Sequence, residues 1–138
     1  MLDLSKHIRK ISTESDFLVL VDDDLDQVIL LEKCFELSER KERLVTFQNG
    51  EDFLSKLEKL VKPVPPAAIF LDINMPGLNG FEVLERINSV YFPRDFPVIM
   101  LTASGDDEDK KRSEQLKADA FWTKPGSVNK YIEVFKSI

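Results

Sequence analysis

Three aspartates in a row close the stretch FLVLVDDD (Phe17 to Asp24), and a fourth, Asp72, closes a second apolar run in AIFLDINMPGLNG. Carboxylates gathered without a counter-charge raise one another's pKa and destabilise a fold, so Asp22, Asp23 and Asp72 together call for a cation. An all-oxygen set of hard ligands suits Mg²⁺, which keeps several waters and binds through one or two carboxylates plus a phosphate. Two further residues bring complementary chemistry. Thr102, closing the strand in VIMLTAS, can donate a hydrogen bond to an oxyanion, and Lys124 in FWTKP adds a fixed positive charge. These groups fit phosphoryl transfer onto a carboxylate, a reaction governed by positioning and by neutralising charge on the transferred group. Asp72 is the nucleophile candidate, because it stands alone opposite the acidic pair.

That chemistry needs the five side chains at one place, and the arrangement of elements supplies one. Short apolar runs (FLVLVD, LVTF, AIFLD, VIMLT and AFWT) alternate with longer stretches of helical period. This rhythm predicts an α/β fold: a doubly wound, five-stranded parallel sheet with five helices. Three of the strands are almost wholly apolar, as expected when helices cover both faces. In such a sheet ligands bind beyond the carboxyl ends of the strands, where the strand order reverses. Asp22, Asp23, Asp72 and Thr102 end strands, and Lys124 follows one.

The helices have local signals of their own. Asp24 reads as the cap of the first, with Gln27 at its third position in a capping-box-like pairing and Leu30, Leu31, Cys34 and Phe35 on the buried face. The second follows Gly50 and is stopped by KPVPP. The third follows Asn79 and Gly80, and the last places Val128, Tyr131, Ile132 and Phe135 on one apolar face. The fourth, DDEDKKRSEQLK, offers almost no apolar residue before Leu116, which predicts weak anchoring and low local stability. Residues 1–15 form an extension in which Leu4, Ile8 and Ile11 make one stripe, and residues 16–138 form the domain.

Composition excludes other classes of function. The chain has 138 residues, a net charge of −6 and one cysteine, Cys34. It therefore has no overall attraction for nucleic acid or anionic lipid and no internal disulfide. No apolar run approaches the roughly 18 residues of a membrane span, and the first residues lack a signal-peptide core. The expected location is the cytoplasm. His7, the only histidine, lies in the polar extension as a solvated side chain, so a phosphodonor must be another molecule.

In order, VDDD, LDINMPGLNG, MLTAS and TKP resemble the receiver domains of two-component response regulators, over nearly the whole chain from Asp16 to Ile138. The resemblance implies a flavodoxin-like, CheY-like sheet of order 2-1-3-4-5. It further implies Asp72 as phosphoacceptor, and Mg²⁺ held by Asp22, Asp23, Asp72 and the backbone carbonyl of Asn74. Thr102 and Lys124 would contact the phosphoryl group, the Lys124–Pro125 bond would be cis, and Asn74 and Ser104 would flank the path of attacking water. Phe121 stands at the position of the switch aromatic, usually tyrosine, and lacks its hydroxyl. Asn79 reads as a helix cap.

The family works by population shift: phosphorylation draws the threonine hydroxyl in, turns the aromatic inward and alters the face formed by the fourth helix, fifth strand and fifth helix. The implied partners are a histidine kinase or phosphotransfer protein as donor and an unidentified protein target. Neither nucleic acid nor membrane is expected as a partner, and the chain would be a monomer or weak dimer. A single-domain regulator would signal by phosphorylation-dependent binding or by phosphorelay, catalysing only its own phosphorylation and dephosphorylation. The alternative is a metal-dependent phosphohydrolase with an aspartyl-phosphate intermediate. Hydrolases of the haloacid-dehalogenase type carry an acid two residues after the nucleophile, where this chain has Asn74.

Overall fold

The computed structural model describes residues 17–137. The proposed stripe of Leu4, Ile8 and Ile11, and His7, lie outside the described residues. Within them the order is β1 (Phe17–Val21), α1 (Leu25–Leu37), β2 (Arg43–Phe47), α2 (Gly50–Leu60), β3 (Ile69–Asp72), α3 (Gly80–Tyr91), β4 (Val98–Thr102), α4 (Asp107–Gln115), β5 (Ala120–Thr123) and α5 (Val128–Ser137). The strands form one parallel sheet of order β2-β1-β3-β4-β5, as the resemblance implies.

The alternation of side chains along each strand divides the core in two. Leu18, Leu20, Phe70, Ile99, Leu101 and Trp122 face α1 and α5, where Phe35 and Phe135 meet edge to face. Val19, Val21, Ile69, Leu71, Val98, Met100 and Phe121 face the other layer with Phe53 of α2 and Phe81, Val83, Leu84 and Ile87 of α3. Because both faces are covered, β1, β3 and β4 are nearly continuous apolar runs, whereas β2 at the edge stays partly exposed. No helix among the described residues is long and apolar enough to cross a membrane.

Most helix expectations hold, with two corrections and one addition. Asp24 caps α1 by accepting from the Asp26 and Gln27 N–H groups. The reciprocal half of the box is absent, because the Asp24 N–H already donates to Asp22 Oδ1 at 3.0 Å and Gln27 Oε1 is left buried without a partner. In α5 the buried residues are Tyr131, Val134 and Phe135, while Val128, at the first position of the helix, is 42% exposed. As expected, α4 has almost no apolar anchor, and the structure adds polar contacts that hold it. Its one buried residue is Ser113, yet Arg112 lies over the Phe81 ring, Asn88 Nδ2 donates to Leu116 O at 2.6 Å and Arg94 Nη2 donates to Lys117 O at 2.7 Å. Arg94 also pairs with Asp119 at 2.7 Å, so the C-terminal end of α4 is tied to α3 and to the entrance of β4.

Candidate functional site

Strand β1 lies beside β3, and the helices following them leave on opposite faces, so the carboxyl ends of the two strands border a cleft. Asp22 follows β1 and is fully buried, Asp72 ends β3 with 5% exposure, and Asp23 beside Asp22 is exposed. One carboxylate oxygen from each of the three lies within 4.8 Å of the others. Lys124, just beyond β5, reaches back into the group with Nζ 3.0 Å from Asp22 Oδ2 and 3.5 Å from Asp72 Oδ1. Its backbone is fixed by donation from Lys124 N–H to Thr102 O at 2.8 Å.

Electrostatics at this spot favour a cation. Burial pushes the Asp72 carboxyl up from 3.8 to about 7; Lys124 opposes the rise, while Asp22 and then Asp23 add to it. For Lys124, burial works against the ammonium, but attraction from Asp72 and Asp22 outweighs it and its pKa is raised. With all groups ionised, three carboxylates face one ammonium, an excess of two negative charges that a divalent ion would balance. The donor set is all oxygen and partly open to solvent through Asp23, which fits Mg²⁺.

The remaining predicted residues are placed around this centre. Thr102 ends β4, next to β3, and is fully buried; its Oγ1 accepts from the Ser104 N–H and pairs with Ser104 Oγ, both at 3.2 Å. Asn74 lies exposed two residues beyond Asp72, in the loop to α3. That loop returns sharply, because Gly80 sits so close to β3 that a Cβ there would fall 2.4 Å from Asp72 O. Asn79 caps α3 in a full capping box with Glu82. The Phe121 ring lies buried opposite Met100, among the α2–α3 layer. One expectation is corrected: the described cis peptides are Lys62–Pro63 and Phe92–Pro93, so Lys124–Pro125 is trans. Trans is the lower-energy form of an X–Pro bond by about 0.5–1 kcal/mol, and Lys124 reaches both aspartates from it.

A family model described as Response regulator receiver domain matches residues 18–136. The chain belongs to that family. This receiver domain is 37% identical over 121 residues to the transcriptional regulatory protein CpxR homolog of Haemophilus influenzae, covering 88% of this chain and 49% of that protein. It is 33% identical over 105 residues to the phosphate regulon transcriptional regulatory protein PhoB of Escherichia coli, covering 76% of this chain and 44% of that protein. It thus spans about half the length of the curated relatives it matches. Among solved structures, a two component response regulator from Cytophaga hutchinsonii superposes with a TM-score of 0.75 at 28% identity, covering 92% of this chain and 96% of that one. The phosphorylated cyanobacterial phytochrome response regulator RcpA also gives 0.75, at 25% identity, covering 88% and 89%. Receiver domains take phosphoryl groups from histidine kinases and bind Mg²⁺ at an acidic pocket, and the aspartate cluster here is consistent with both.

Two contributors have no local sequence signal. Glu51 of α2 accepts the Leu78 N–H in the loop after Asp72, at 3.1 Å, and Arg94, at the opposite, amino edge of the sheet, clamps the end of α4. Neither belongs to a local motif. The glycine at Gly77, with a φ of +73°, was the one visible sign that something packs tightly against that loop.

Proposed function

We propose that this receiver domain accepts a phosphoryl group on Asp72 from a histidine kinase or phosphotransfer protein. The phosphorylated form then signals by binding another protein or by passing the group onward. The observation that carries this reading is the convergence of Asp72, Asp22, Asp23 and Lys124 at one cleft, from three different strands. In the reaction an Asp72 oxygen attacks phosphorus, the bond from phosphorus to the donor's imidazole nitrogen breaks, and its electron pair stays on that nitrogen. Lys124, already 3.5 Å from Asp72 Oδ1, neutralises charge on the transferred group. Mg²⁺ held by Asp22, Asp23, Asp72 and the Asn74 carbonyl would offset the charge of the acidic cluster and of the phosphoryl oxygens. Thr102 would exchange its Ser104 partner for a phosphoryl oxygen, and Phe121 would report the change to the α4–β5–α5 face. The chain would do this in the cytoplasm without nucleic acid or membrane as partner, as a monomer or weak dimer, and catalyse nothing beyond its own phosphorylation and dephosphorylation.

Incubation with acetyl phosphate and Mg²⁺ tests this reading against a phosphohydrolase. A receiver retains one acid-labile phosphoryl group per chain, lost in Asp72→Asn, with slow release of phosphate. Rapid phosphate release from many monoesters, without retained label, would favour the hydrolase instead. Partner capture with the beryllofluoride-loaded and unloaded protein then tests the output: protein bound only by the loaded form supports a phosphorylation-dependent target.

A further inference from the structure

The loop from Ile73 to Asn79 joins the acceptor strand to α3 and carries Asn74. Its ends are held by backbone bonds: Ile73 N–H donates to Leu101 O at 3.0 Å and Gly80 N–H to Ile73 O at 2.9 Å. Met75 is buried, which fixes the first half. The crown of the loop is held from a different element. Glu51, in the first turn of α2, accepts the Leu78 N–H on Oε1 at 3.1 Å. A Cβ at Gly77 would lie 2.9 Å from the same oxygen, so the carboxylate is seated against a left-handed turn that glycine leaves open. The approach of α2 is itself close, since a Cβ at Gly50 would fall 2.5 Å from Val83 Cγ2 and 3.3 Å from Leu78 Cβ.

We propose that Glu51 is a positioning residue for the acidic site: by holding the Leu78 N–H it sets the loop from Ile73 to Asn79, and with it the Asn74 carbonyl as a ligand for a divalent cation. The inference rests on the metal reading of Asp22, Asp23 and Asp72 given above. Mg²⁺ tolerates little departure from octahedral geometry, so a ligand carried on a loosened loop binds it poorly. Loss of groups that orient metal ligands typically weakens binding by about 10- to 100-fold. The acceptor is exposed and 3.1 Å from the amide, so its hold on the loop comes from placement: α2 supplies it from a helix rather than from the loop itself.

The test is Mn²⁺ binding, read from the electron paramagnetic resonance of the free ion, together with hydrogen exchange of the Leu78 amide. Wild type, Asp23→Ala, Glu51→Ala and Glu51→Gln are compared. Glu51→Ala is expected to weaken Mn²⁺ binding about tenfold and to speed Leu78 exchange. Glu51→Gln loses the charge and keeps the acceptor oxygen, and should stay within about threefold of wild type. Unchanged affinity in Glu51→Ala overturns the proposal. Equal weakening in both Glu51 variants also overturns it, because long-range charge rather than the hydrogen bond would then act. Equal binding by wild type and Asp23→Ala would overturn the metal reading itself, and the role of Glu51 with it.

Discussion

Asp72 should make the metal-free protein less stable as pH rises, and removing its charge should undo this. Burial, Asp22 and Asp23 hold its carboxyl at about 7 against an ordinary 3.8, with the attraction of Lys124 already included. Between about pH 4 and pH 7 the native state keeps this proton while the unfolded chain has released it, so stability falls as pH rises through that window. Above pH 7 both states are ionised and the loss is complete. At about 1.4 kcal/mol for each tenfold change in the ionisation constant, its size is roughly 4 kcal/mol. Asp72→Asn puts a neutral group of similar shape in the same place and escapes the penalty. Urea unfolding with a chelator present, from pH 4 to pH 8, should show the two proteins nearly equal at pH 4. The variant should be more stable by a few kcal/mol, of order 4, at pH 8. Titrating groups remote from Asp72 are common to both proteins and cancel in the difference, leaving Asp72 and the charges it faces, Lys124, Asp22 and Asp23. A difference that does not change with pH, or a variant less stable at pH 8, would refute the electrostatic account of the cluster.

Mg²⁺ at a hundred times its dissociation constant should stabilise the wild type by about 2.7 kcal/mol, and a thermal melt of Asp23→Ala should show little of this gain. Phe121 is 7% exposed within the α2–α3 layer, so Phe121→Ala should cost about 3 to 5 kcal/mol in chemical denaturation. The folded variant should still be labelled by acetyl phosphate, yet lose most of the beryllofluoride-dependent gain in partner affinity. Arg94→Met removes the clamp on Lys117 O and Asp119, and hydrogen exchange of α4 should quicken while that of β1 and β3 stays slow.

The site was legible because strand ends are legible. An apolar run stops where the sheet stops, so a polar residue at that point must lie on the carboxyl edge, and Asp22, Asp72 and Thr102 do. Lys124 was readable for the same reason, two residues beyond the buried Trp122. Helix faces followed from period, as Leu31, Cys34 and Phe35 show, but period cannot say where a helix begins to touch the core. Val128, predicted inside, is half-exposed in the first turn of α5, and Val134 takes a buried place instead. The missing half of the Gln27 box has a different cause: Asp22 competes for the same N–H. The clamp on α4 was invisible because Asn88 and Arg94 lie 28 and 23 residues from the carbonyls they hold, and polar contacts at that separation leave no periodic trace. Glu51 is concealed in the same way, 27 residues from Leu78.

In the proposed reaction Asp72 itself becomes the acyl phosphate. The protein loaded with acetyl phosphate and Mg²⁺ is treated with borohydride, which reduces an acyl phosphate to the alcohol, and its peptides are then sequenced by mass spectrometry. Homoserine is expected at position 72, with unaltered aspartate at positions 22 and 23. Homoserine at either of those positions, or labelled protein with position 72 still aspartate, would contradict this role of Asp72.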